Sequence, residues 1–492
     1  MSYRDCGYYL KYFLSKDNFN TSQQVELQCG IAHHLLIEAL FDLLSHNTAM
    51  MDWKKLLTPQ RLGEIEQESI QDGRTSFLRD YDRLVFSSAF RRLKDKTQVF
   101  SLPKNDYIRT RLIHSLEVSC VGRSLGRIVG KKIVDTHKLN NYGFSASDFG
   151  DIVSAACLAH DIGNPPFGHS GEDAIRTGFE SWYNTVNHVG EELLSKSQKA
   201  DFDSFEGNAQ GFRILTKLEM YPQKGGMQLT CPTLAAFTKY PRESLLSEST
   251  LNGYSDISIK KHGFFQAEKD LFDEVAEAVG LIRRHDNAAW WSRHPLAFLV
   301  EAADDICYSI VDVEDAHRMK YICFEKTEYL LNEIAKIDIN KHDESKEEKV
   351  KRLRAKAIHN LIEQATEIFF AHEQEILSGE FDKDLLSLSR YANHLDVIKK
   401  ATESDVFQHR DVVSIQIAGY EVLGKLFSEF VNAILHDSKK AKLICNMLPQ
   451  EYRPNPDEDT YNKILKITDY ISGMTDSYAT SLFQQFSGIS LG

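Results

Sequence analysis

Apolar residues recur at spacings of three and four along 115–134, 151–160, 269–284, 296–313, 357–377 and 411–435. Such spacing lines one face of a 3.6-residue helix, whereas a half-buried strand needs alternation of period two. Alternation of that kind is weak throughout, so the expected fold class is all-α, mainly helical with little β. Glycine and proline gather at a few breaks, 163–168, 221–226 and 454–456, where a helix cannot easily continue. No repeat of fixed period is visible.

At 492 residues the chain can bury a large core and still carry accessory lobes. Residues 1–50 read as an N-terminal extension of unknown role, because the stretch from Met51, MDWKKLLTPQRLG, reads as a fresh start. A core over 51–330 with an insertion around 180–265, then a C-terminal helical region over 331–492, complete the expected division. The charged run at 341–356 reads as a solvated helical face.

Hydrophobic content of 42% with 26% charged residues suits a folded globular chain. No apolar run approaches the roughly 18 to 20 residues of a membrane span, so no membrane role is expected. The N-terminus, MSYRDCGYYLKYFLSKDNF, lacks a signal-peptide pattern, which points to the cytoplasm. Eight cysteines are scattered without a CxxC pair, so any metal must be held by histidine and carboxylate.

The formal charge of -13 argues against a generally basic surface for nucleic acid. One local exception stands out: Arg74, Arg79, Arg83, Arg91, Arg92, Lys94, Lys96, Lys104, Arg109 and Arg111 face only Asp80, Asp82, Asp95 and Asp106 in the same stretch. A solvated helical face and a polyanion-binding patch are both open readings of it.

The strongest chemical signal is HDIGNPPFGH at 160–169, after the apolar run DIVSAACLA. Successive helical residues diverge by roughly 100°, so the imidazole of His160 and the carboxylate of Asp161 can reach one ion between them. A lone His-Asp pair carries little weight, since the two meet by chance in many chains. Here it is preceded by RTRLIHSLEVS with His114 and followed by EAADDICYS with Asp304. Two imidazoles and two carboxylates make a mixed N/O set suited to a Lewis-acidic divalent ion.

These segments, with FLRDYDRLVFSSAFRRLKDKTQVF (77–100), FEGNAQGFRIL (205–215), LTCPTLAAFTKYP (229–241) and DYISGMTDSYA (469–479), resemble the successive signature blocks of deoxyguanosine triphosphate triphosphohydrolases of the HD superfamily. The resemblance runs from Phe77 to Ala479 and leaves residues 1–50 outside. It implies an HD-domain core completed by the C-terminal region, with His114, His160, Asp161 and Asp304 as metal ligands and His169 and Glu172 as the catalytic pair. It further implies Arg111 as the phosphate grip, with Arg109 a weaker candidate, and Gln98, Tyr308 and Asp312 as the residues that hold the deoxyribose. The residues agree with these roles: Arg111 stands three before His114 on one helical face, and Tyr308 and Asp312 follow Asp304 at four and eight. The chain departs from some relatives where they carry a further histidine near FEGNAQ; Gly207 and Asn208 stand there, and His188 is the nearest spare.

The implied reaction is hydrolysis of a deoxynucleoside triphosphate, dGTP foremost, to the deoxynucleoside and inorganic triphosphate. The implied cofactor is a divalent ion, Mn²⁺ or Mg²⁺ foremost, with Fe, Ni and Zn as alternatives. Assembly as a homo-oligomer, with a hexamer suggested, and single-stranded DNA as a regulator on the basic stretch are the further partners it implies. The alternatives are an HD phosphohydrolase for another nucleotide, or a nucleotide-sensing or nucleic-acid-binding regulator.

Overall fold

A computed structural model describes residues 50–63, 73–99, 108–186, 193–251, 257–341 and 343–490. Among these residues the only β pairing is in isolated bridges, such as Thr97 with Thr110, so the all-α expectation holds. The extension 1–50 lies, but for Met50, outside the described residues, as do Lys104 and His188. No helix of the described residues is long and apolar enough to cross a membrane.

The helices that position the site are α1 (Ser76–Phe86), α2 (Arg111–His137), α3 (Ala146–Ala159), α4 (His169–Val186), α5 (Ala297–Arg318), α6 (Lys346–Ala371), α7 (Arg410–Leu435), α8 (Thr460–Ser472) and α9 (Asp476–Phe486). Each of the six periodic stretches falls largely on helix, but residues 280–284 lie beyond Lys269–Val279, and 357–377 is shared between α6 and the short helix Glu373–Leu377. The charged run begins α6, where Ser345 caps the Glu348 amide and Lys346, Lys349 and Lys351 lie at the surface.

Two cores organise these helices. In the first, Val118, Leu125, Val129 and Ile133 of α2 meet Phe149, Ile152 and Val153 of α3 and Phe298, Ile306 and Ile310 of α5. Close approach of α2 and α3 requires small residues at the seam: a Cβ on Gly126 would lie 2.7 Å from the Phe149 carbonyl oxygen. The second core joins Ile175, Phe179 and Trp182 of α4 to Leu423, Leu426, Phe427 and Phe430 of α7, Ile464 and Ile467 of α8 and Leu482 of α9. Leu353 and Leu361 of α6 also belong to the first core. The helix that follows the HD motif is therefore packed by the C-terminal end of the chain.

Candidate functional site

Helix α3 ends at Ala159, and His160 is its C-cap, so the His-Asp pair sits in the turn leaving the helix rather than within it. The turn exposes both side chains to one point. His160 Nδ1 donates to the Cys157 carbonyl oxygen at 2.7 Å, which fixes the ring and leaves Nε2 as the free ligand nitrogen. His114, on the first turn of α2, lies edge-on to His160 with ring centroids 5.2 Å apart. Ligand atoms of His114, His160 and Asp161 all lie within 4.8 Å of one another, a group that could hold a metal ion. Asp304 of α5 lies against this group, its Oδ1 3.0 Å from His114 Nε2 and 3.5 Å from His160 Nε2.

The electrostatics favour ionised carboxylates here. Burial works against ionisation of Asp304, but the flanking imidazoles of His160 and His114 outweigh it and hold the carboxyl well below its ordinary range. Burial likewise opposes the charge on Asp161, and Arg111, then His160, overcome it. The donor set fits a divalent ion: two oriented imidazoles and two carboxylates that stay charged at neutral pH.

Arg111, the first residue of α2 and 6% exposed, donates from Nη1 to Asp161 Oδ2 at 2.8 Å. Its Nη2 lies 2.6 Å from where a Cβ on Gly168 would be, so one guanidinium spans from Asp161 to the turn before His169. His169 opens α4, as the sequence suggested, with its side chain 81% exposed. Its Nδ1 lies 3.0 Å from Glu172 Oε2, and the buried Glu172 also accepts the Gly207 amide at 2.7 Å through Oε1. A Cβ on Gly207 would crowd two side-chain ends, Asn164 Oδ1 at 2.2 Å and Glu172 Oε1 at 2.8 Å.

Tyr308 and Asp312 share the face of α5 that carries Asp304. The Tyr308 ring lies parallel to Phe407, with centroids 6.3 Å apart. Burial pushes the Asp312 carboxyl up to about 7. Asp312 Oδ2 and Gln98 Oε1 are buried acceptors without a hydrogen-bond partner among the described residues, and Arg111 Nε is a buried donor in the same condition. Beside Tyr308 opens a cavity of about 410 Å³ whose walls include Asp305, Asp384, Asp396, Leu395 and Lys399.

Arg109 is not a free phosphate grip. Its guanidinium is paired with Glu117 at 2.8 Å, with Glu314 at 2.8 Å and with Asp315. Arg109→Met should destabilise the fold by about 3 kcal/mol, because it leaves the carboxylates of Glu314 and Asp315 buried without this cation. Denaturant unfolding measures that loss, and the KM for nucleotide in the folded variant should match wild type. Other members of the basic stretch also spend their charge internally: Arg83 on the Met227 and Gln228 carbonyls, and Lys96 on those of Asn164 and Ser472.

Sequence reasoning assigned no role to Asn164 or Asp476, and gave Lys96 only a place in the basic stretch. Asn164 donates through Nδ2 to Asp161 Oδ1. All three fall within quoted blocks, but the partners of Lys96 and Asp476 are distant in the chain.

An HD domain family model matches residues 111–224, and a phosphohydrolase-associated domain model matches 386–485. A deoxyguanosinetriphosphate triphosphohydrolase-like protein of Synechocystis sp. is 58% identical over 443 residues, covering 90% of this chain and 100% of the relative. Its counterpart in Pseudomonas aeruginosa is 40% identical over 454 residues, covering 89% and 99%. A deoxyguanosinetriphosphate triphosphohydrolase of Salmonella paratyphi A is 29% identical over 486 residues, covering 84% and 94%. With the HD motif, the clustered ligand atoms and these relatives in agreement, the chain belongs to the deoxyguanosinetriphosphate triphosphohydrolase-like family of HD-domain phosphohydrolases.

Proposed function

We propose that the protein hydrolyses deoxynucleoside triphosphates, dGTP foremost, to the deoxynucleoside and inorganic triphosphate. His114, His160, Asp161 and Asp304 would hold a divalent ion, Mn²⁺ or Mg²⁺ foremost. When bound, that ion supplies Lewis-acid polarisation of the phosphoryl group and activation of the attacking water.

The observation that carries this reading is a set of buried polar atoms that have no partner among the described residues, Arg111 Nε and Asp312 Oδ2 close to the ligand group and Gln98 Oε1 with them. An unmade buried hydrogen bond costs on the order of 1–3 kcal/mol, so such atoms are best explained by a ligand that completes them. Gln98 Oε1 and Asp312 Oδ2 are acceptors suited to a sugar hydroxyl, and Tyr308 offers a ring for the sugar to pack on. Arg111 neutralises the phosphate chain, its guanidinium always charged and able to bind two oxygens. His169 moves a proton at the reacting oxygen, while Glu172 holds its other ring nitrogen and supports charge on it. Asp384 and Asp396 in the adjoining cavity supply acceptors for the N–H groups on the Watson–Crick edge of guanine. A site built to accept those hydrogens discriminates against bases that lack them.

Release of inorganic triphosphate from each of the four deoxynucleoside triphosphates, measured side by side with Mn²⁺ and with Mg²⁺, tests the reading. The largest kcat/KM is expected for dGTP, and release of pyrophosphate or monophosphate instead would refute the reaction. Arg111→Ala should raise the KM for dGTP strongly while weakening deoxyguanosine binding little; equal weakening of both would give Arg111 a structural role. Assembly as a homo-oligomer belongs to the same reading, and a monomer mass by light scattering would refute it.

A further inference from the structure

One buried junction ties the loop between Asp161 and His169 to the C-terminal helices. Asp476, the first residue of α9 and 2% exposed, accepts the Phe167 amide at 3.1 Å through Oδ1. Its Oδ2 accepts the Thr97 amide at 3.0 Å and the Thr97 hydroxyl as well. Lys96, 3% exposed, donates from Nζ to the Asn164 carbonyl at 2.6 Å and to the Ser472 carbonyl at 2.7 Å. A buried ammonium needs such bonds in place of water, and burial already pushes this one down to about 7. Both of its bonds go to backbone, one on each side of the seam between the HD loop and α8.

Each bond ends close to a group used in the proposed reaction. Thr97 precedes Gln98, Asn164 bonds Asp161, and Phe167 stands two residues before His169. Lys96 also accepts the Arg111 amide on its own carbonyl at 3.2 Å. Phe167 holds a φ of 62°, a left-handed conformation that a bulky side chain adopts only when its surroundings impose it. The bond from its amide to Asp476 is one such restraint.

We infer that Asp476 and Lys96 are positioning residues through which the C-terminal region holds the Asp161 loop, the His169 turn and Gln98 in one register. The inference rests on the reading in which those groups serve the ion, the reacting phosphate and the sugar. All three groups facing Asp476 are donors, so Asp476→Asn keeps the shape but turns an N–H towards N–H or O–H partners. Lys96→Met keeps the length of the side chain and removes both bonds across the seam.

The test is Mn²⁺ binding by electron paramagnetic resonance, together with kcat and KM for dGTP, in folded Asp476→Asn and Lys96→Met. Mn²⁺ affinity should fall roughly tenfold, and kcat at saturating Mn²⁺ and dGTP by roughly 10–100-fold, the scale seen when groups that orient metal ligands are removed. Asp459→Ala removes the cap that accepts the Asn462 amide at 2.8 Å at the other end of α8. That variant should be less stable yet keep wild-type Mn²⁺ affinity per folded molecule, which separates positioning from general loosening. If Asp476→Asn does not fold, Thr97→Val removes the hydroxyl bond alone and should still lower kcat several-fold. Wild-type Mn²⁺ affinity and kcat in the folded variants would overturn the inference. If the unmodified protein releases no triphosphate from dGTP, the proposed function falls, and the Mn²⁺ measurement alone still decides whether the junction positions the ligand loop.

Discussion

Asp304→Ala is expected to fold, to hold no divalent ion and to release triphosphate at less than about a thousandth of the wild-type rate. The size follows from the role: a metal ion supplies several kcal/mol of transition-state stabilisation, and each 1.36 kcal/mol is tenfold in rate. Folding should survive because the Asp304 side chain is 33% exposed and its partners are the two imidazoles, which are stable when neutral. His114→Ala should behave alike. Asp161→Ala loses the ion as well but also frees Arg111 from its 2.8 Å partner, so its affinity for free triphosphate should rise relative to Asp304→Ala. Metal content by elemental analysis should fall in step with activity across the series. Full turnover by any of the three in metal-free buffer would remove the ligand assignment.

His169→Ala should have the opposite profile, with metal and nucleotide still bound and the chemical step slowed by roughly 10²–10⁴-fold, the usual scale for a positioned acid–base group. The side chain is largely exposed, and its ring nitrogen is paired with Glu172, not with any of the four proposed ligands. Single-turnover kinetics at saturating dGTP read the chemical step, and Mn²⁺ titration reads the ion. Loss of the ion in this variant would make His169 a ligand and redistribute the roles. Glu172→Gln should slow the reaction less, since it removes the charge beside the ring but keeps a group able to accept its N–H.

The helices were legible because burial of one face writes itself into the spacing of apolar residues, and α2, α5 and α7 contain the stripes read at 115–134, 296–313 and 411–435. The proposed ligand set could be read for a different reason: its members sit in short motifs on three helices or their ends. What spacing cannot report is which distant segment neutralises a charge. Arg109 looks in sequence like a partner for phosphate, yet Glu314 and Asp315, more than two hundred positions later, take it up. Lys96 and Asp476 lie within recognisable blocks, but their roles depend on a contact across 376 and 379 residues of chain. The position of the His-Asp pair in the turn after α3, not on the helix, was likewise hidden, because Gly163 and Asn164 signal a stop without fixing the residue at which it begins.

The packing of α4 bears on how such proteins can be inherited in parts. The HD domain match ends at residue 224 and contains α4 whole, while the match to the associated domain begins at 386 and contains the helices that bury its apolar face. Module boundaries drawn from similarity therefore run through a single hydrophobic interior. A tail exchanged between two relatives would arrive with half of a core, and Phe427 and Leu423 would have to meet an unfamiliar set of side chains at Gly171, Gly178 and Phe179. A tail exchange is expected to preserve the fold only where the residues that α4 presents to α7 suit the incoming side chains.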